Sequence, residues 1–146
     1  MSFDAQLRST LSSIHAKPTA AEAVAVIDVA RLAAAADNKT DVSEMVVLLA
    51  LTRVVCDLAG VGDIPAVKPV DAERLAEIGD LLVPQGAREL AFASAFLIMV
   101  QDLEVTAEEK RLADALGQAL VIDDARAKQL ADTMESLVRA GRSTAS

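Results

Sequence analysis

An all-α bundle of about seven helices is the fold class this sequence predicts, and three observations carry that prediction. The chain has 29 Ala among 146 residues, and Ala is the best helix former. Apolar residues make up 53% while aromatics make up only 2%, and just 4 Pro and 6 Gly interrupt the chain. Apolar positions recur at i, i+3, i+4 and i+7 through most of its length, which is the helical period. At this size one domain spanning residues 1–146 is expected, with enough burial to fold without disulfides.

The elements follow in order. A first helix is expected over about Ser2 to Ala16, stopping before Lys17-Pro18. The second opens at Thr19 and runs to about Asp37. Thr19 and Glu22 form a capping box, in which hydroxyl and carboxylate each accept a backbone N–H left open at the helix start. The third runs from about Val42 to Ala59 behind the N-cap Asp41, and its centre, Met45 to Leu51, is apolar all round. That pattern predicts a helix covered by neighbours on most sides.

Gly60, Gly62, Pro65 and Pro69 then mark the one longer loop. Asp71 caps a fourth helix with Leu75, Ile78 and Leu82 on its inner face, ending near Pro84-Gln85-Gly86. The fifth, about Ala87 to Gln101, is again apolar nearly all round. The sixth begins at a second capping box, Thr106 with Glu109, and buries Leu112, Leu116 and Leu120. Gly117 inside it reads as a close helix–helix contact or a weak point. Asp123 caps the seventh, whose Ala127, Leu130, Met134, Leu137 and Val138 form a stripe. The tail 141–146 is expected to fray.

The two halves, about 19–60 and 71–139, echo each other as helix–turn–helix units with an acidic turn. Asp37 matches Asp102 and Glu44 matches Glu109, each pair 65 residues apart. The repeat predicts a pseudo-twofold bundle in which the two buried helices pack centrally. In pattern, Asp-x-x-apolar-x-x-x-Glu used twice between helices resembles the TerB family of tellurite-resistance and stress-response proteins. The stretch Phe96 to Glu109, continuing through Leu116-Gly117, is most similar, and a weaker resemblance covers about Ala20 to Met134. Asn38 and Leu103 stand where that family has Gly. The resemblance implies a seven-helix fold, a role in stress response, acidic turns proposed to bind metal, and a membrane-associated stress complex as partner.

Charge bounds the partners. A net charge of −8 and a pI near 4.6 repel phosphate backbones and anionic lipid, and no basic stripe carries stacking aromatics, so nucleic acid is not an expected partner. The longest uncharged run, Leu90 to Gln101, has 12 residues, short of the roughly 20 that a membrane span needs. A lone Cys56 and a first segment without an apolar core predict a soluble, cytoplasmic protein.

Two accounts of the acidic turns stand side by side. Asp37, Asp41, Glu44, Asp102 and Glu109 could supply oxygen ligands to Ca²⁺, Mg²⁺ or Mn²⁺, and a cation would offset carboxylates placed where helices end. Alternatively, Asp41 with Glu44 and Thr106 with Glu109 are helix caps and nothing more, and the chain is a helical protein–protein interaction module, as a monomer or a homodimer. Catalysis is not expected. Cys56 sits in an apolar helix with no His or Lys beside it. Ser9, Ser12 and Ser13 have only His15 nearby, and His15, with Ser12 three residues before it, has no Glu-x-x-His pairing and reads as a surface residue.

Overall fold

The computed structural model describes residues 2–35, 42–62, 72–101 and 106–144. Seven helices and no strand occur among them: α1 (Phe3–Ile14), α2 (Ala20–Ala35), α3 (Val42–Ala59), α4 (Ala72–Leu81), α5 (Gln85–Met99), α6 (Ala107–Ala119) and α7 (Asp124–Thr144). The all-α bundle is the architecture the composition predicts. α7 continues through Gly141 to Thr144, beyond the point where its apolar stripe ends.

α2 and α5 pack against each other more extensively than any other pair and form the centre. Their sequences explain it. Ala25, Val26, Val29, Ala30 and Ala33 on α2, and Ala87, Leu90, Ala91, Ala95 and Ile98 on α5, are all at most 3% exposed. Small Ala side chains let the two backbones approach, while Val, Leu and Ile fill the remaining space. α3 covers α2, α7 covers α5, and α1 spans α3, α5 and α7 with Leu7 and Leu11 fully buried. Burying a Leu side chain contributes about 1.5–3 kcal/mol, so this two-residue anchor holds α1 in place.

One expectation is corrected here. The apolar centre of α3 is not covered on most sides, because Met45, Val46 and Leu49 are 54%, 61% and 45% exposed. An all-round apolar helix signals burial only when neighbours exist for every face, and α3 packs chiefly on α1 and α2. Leu51, Val54, Val55 and Cys56 form its buried side.

α3 and α6 end in the same way. Val61 N–H donates to Cys56 O at 2.8 Å and Gly60 N–H to Asp57 O at 3.1 Å. Ile122 N–H donates to Gly117 O at 2.8 Å and Val121 N–H to Gln118 O at 3.1 Å. Each is the paired bond set of a Schellman stop, which requires one residue in the left-handed region. At α3 that residue is Gly60, with φ of +73°. At α6 it is Val121, with φ of +55°. A β-branched residue at positive φ is strained by roughly 1–2 kcal/mol, and Val121 is also 70% exposed, so little burial compensates.

Candidate functional site

Both predicted capping boxes form. Glu109 N–H donates to Thr106 Oγ1 and Thr106 N–H to Glu109 Oε1, both at 3.1 Å. At α2, Glu22 N–H donates to Thr19 Oγ1 at 3.1 Å and Thr19 N–H to Glu22 Oε1 at 2.9 Å. Each box satisfies two donors that the helix itself cannot. Of the five acidic residues that sequence singles out, Glu109 is placed: it is 4% exposed and engaged by the cap. Glu44 is the third residue of α3, as Glu109 is of α6, and its side chain lies outside what is described. Asp37, Asp41 and Asp102 lie outside the described residues. Among the described residues no three His, Cys, Asp or Glu gather around one point.

His15 is not the surface residue its sequence position predicts. Its side chain is 21% exposed and its Nε2 lies 3.2 Å from Glu22 Oε1, the same oxygen that caps α2. Gly86, in the first turn of α5, makes room for it, since a Cβ there would fall 2.7 Å from His15 Nδ1. The cluster ties the end of α1, the start of α2 and the start of α5. Sequence could not show it, because His15 and Glu22 are seven positions apart across a loop and follow no helical period.

A second polar tie joins α5 to α7. Arg126 Nε donates to Glu89 Oε1 at 2.8 Å, its Nη2 forms an ion pair with the same oxygen at 2.8 Å, and Gln85 Nε2 donates to Glu89 Oε2 at 3.1 Å. Burial pushes the Glu89 carboxyl upward, but the Arg126 and Gln85 hydrogen bonds and the guanidinium charge outweigh it, so its pKa lies below the ordinary carboxylate value. Cys56 behaves oppositely: burial, and then the charge of Asp57, push its thiol up. A protonated, 4% exposed thiol is a poor nucleophile. The hydroxyls of Ser12 and Ser13 donate to the carbonyls of Ser9 and Thr10, turning back onto their own helix.

A cleft of about 690 Å³ opens between α6 and α7, floored by α5. Phe92 and Phe96 form the floor, stacked one helical turn apart with ring centroids separated by 6.3 Å. Its walls are small: Ala113 and Gly117 on α6, Ala127 and Ala131 on α7. Gly117 stands against Phe92, whose Cε2 would lie 3.8 Å from an added Cβ, so it lines the cleft wall and does not mark a tight crossing. α6 and α7 barely touch although only a short turn joins them, because each rests on α5. Lys110 and Asp114 stand on the α6 lip, Asp124 and Lys128 on the α7 lip, and none of the four is in an ion pair among the described residues. An apolar floor under uncompensated charges can hold an apolar group and orient it by its flanking charges. Small residues at helical spacing in α6 and α7 are the sequence signal for this cleft, but they read equally well as close packing.

No helix among the described residues is long and apolar enough to cross a membrane. No protein-family model, curated protein or solved structure matches the chain.

Proposed function

We propose that this chain is a non-enzymatic, TerB-like stress-response module of the cytoplasm that acts by docking a protein partner in the cleft between α6 and α7. The observation that carries the reading is the cleft itself, with the half-buried Phe96 ring at its floor against the buried Phe92, and four lip charges that make no ion pair among the described residues. A monomeric protein gains nothing in stability from leaving such a surface uncovered, and a partner helix laid in the cleft would cover it. The acidic, TerB-like pattern between the helices supplies the link to stress response, and a membrane-associated stress complex is the class of partner it suggests.

The test is complementation. A host lacking this gene is challenged with tellurite or oxidant and supplied with the wild-type chain or with Ala131→Trp, which fills the cleft. Rescue by the wild type and not by an equally stable Ala131→Trp is expected. Equal rescue by both would remove the cleft from the function.

A second reading has its own support. Glu44 and Glu109 occupy the same third position of α3 and α6, each behind an acidic segment, so a divalent cation bound by Asp37, Asp41, Glu44, Asp102 and Glu109 would serve both repeats alike. Melts in EDTA and in 1 mM Ca²⁺, Mg²⁺ or Mn²⁺ test it. A site of about 10 µM affinity adds about 2.7 kcal/mol and raises Tm by about 5–10 °C. The shift should vanish in Asp37→Asn/Asp102→Asn, and superimposable melts would leave the turns as caps.

A further inference from the structure

Among the described residues α6 packs chiefly on α5, and a hollow runs along each of its flanks. On one side Ala113, Gly117 and Gln118 face the cleft toward α7. On the other, Leu116, Ala119 and Leu120 face a second hollow of about 380 Å³, bounded by Val29 on α2 and by Ala76 and Ile78 on α4. The hold of α6 on the bundle is apolar: Ala113, Leu116 and Leu120 are buried, and Gly117 stands against the buried Phe92 ring.

No polar tie adds to that hold. Arg8–Asp57 joins α1 to α3, His15–Glu22 joins the end of α1 to α2, and Arg126–Glu89 joins α7 to α5. No side chain of α6 makes a hydrogen bond or ion pair with another helix among the described residues. Its ends are closed from within instead. The Thr106–Glu109 box caps its start, and the Val121 and Ile122 N–H groups donate back to Gln118 and Gly117 at its end. Lifting α6 therefore leaves no backbone group of another helix without its partner.

The C-terminal end supplies a pivot. Val121 is exposed and held at φ +55°, while the next residue, Ile122, is buried. Ile122 keeps the chain anchored, and Val121 sheds strain on leaving the left-handed region, which biases the joint toward release.

We infer that α6 is a lid that leaves α5 as one unit, pivoting at Val121, while the other helices stay packed. Lifted, it uncovers Phe92 and runs the two hollows into one apolar trough along Val29, Phe92 and Phe96. A free helix of 13 residues is marginal in water, so the lifted segment unwinds and its amides exchange with solvent. The motion belongs to the chain alone, whatever occupies the cleft.

Native-state hydrogen exchange of the full chain, read by NMR in 0 to about 1 M urea, tests it. The amides of Leu112 to Ala119 should exchange about tenfold or more faster than those at the centres of α2 and α5. They should share one urea slope, shallower than that of α2 and α5, because a local opening exposes less surface. Leu11→Val, which trims the α1 anchor, should speed exchange in α2 and α5 about 3–10-fold and leave α6 unchanged. Val121→Gly should slow exchange in α6 about 2–5-fold by removing the strain. Exchange of α6 at the rate and slope of α5 would mean that it leaves only when the whole chain unfolds, and would overturn the inference. Rates graded inward from the helix ends would show fraying and overturn it too. So would an α6 rate that rises with that of α5 in Leu11→Val, or one that Val121→Gly does not slow.

Discussion

Val121 offers the sharpest test of how this fold is held, because α3 and α6 end in the same hydrogen-bond pattern with different residues at the left-handed position. Replacing Val121 with Gly removes a left-handed β-branched residue, a strain of roughly 1–2 kcal/mol. The change also frees the unfolded chain, which costs about 0.5–1 kcal/mol. The lost side chain is 70% exposed, so the burial term is small. The net is a gain of about 0.5–1 kcal/mol, or about 2–4 °C in Tm for a chain of this length. Gly60→Ala is the mirror experiment. A Cβ at Gly60 meets no atom within 4 Å, so only the backbone strain at φ +73° is felt, and a loss of similar size is expected. Thermal and urea unfolding followed by circular dichroism at 222 nm read both. A Val121→Gly protein no more stable than wild type, or a Gly60→Ala protein as stable as wild type, would refute the argument that these two positions do the same conformational work.

Three further outcomes are expected. Ser94 is fully buried on α5 and its hydroxyl has no hydrogen-bond partner among the described residues, so Ser94→Ala should raise stability by about 1 kcal/mol in urea melts; a loss would mean the hydroxyl is satisfied. Glu89 has a lowered pKa in the folded state, so its contribution is complete above the ordinary carboxylate pKa and is lost as pH falls through the folded value; Glu89→Gln should flatten the fall of Tm below about pH 4.5, and Arg126→Met should destabilise by about 1–2 kcal/mol at pH 7, discounted because Arg126 is 40% exposed. An acid limb of Tm against pH that is identical in wild type and Glu89→Gln would contradict this. In an unobstructed helix Gly86→Ala would stabilise, yet here the new Cβ meets the His15 ring, so a loss of about 1–2 kcal/mol and a displaced His15 imidazole resonance are expected. A stabilised Gly86→Ala protein would show that His15 moves aside freely.

Local chemistry was legible in the sequence wherever the interacting residues lie within one helical turn. The capping boxes at Thr19–Glu22 and Thr106–Glu109 form as their spacing predicts, because an N-cap needs only residues three positions apart. The helical class and the buried Cys56 follow from composition and period, whereas the centre of the bundle does not: α3, apolar all round in sequence, is open on one face, and α2 takes the place beside α5. Whether Asp37, Asp41 and Asp102 gather around an ion was posed by the sequence and lies outside the described residues.

What only the tertiary structure decided is which faces remain uncovered and which distant charges meet. Met45, Val46 and Leu49 carry the same period as buried residues, and only the placement of α1 and α2 on the other side of α3 leaves them exposed. His15 meets Glu22 across a loop, and Arg126 meets Glu89 from 37 residues away. The cleft exists because α6 and α7 each rest on α5 and diverge, with small side chains facing the gap between them. Periodicity determines which side of a helix is apolar, and a turn's hydrogen bonds determine where the helix stops. The surface that an apolar side covers, or leaves open, depends on the positions of all the other helices at once, and no local pattern encodes that.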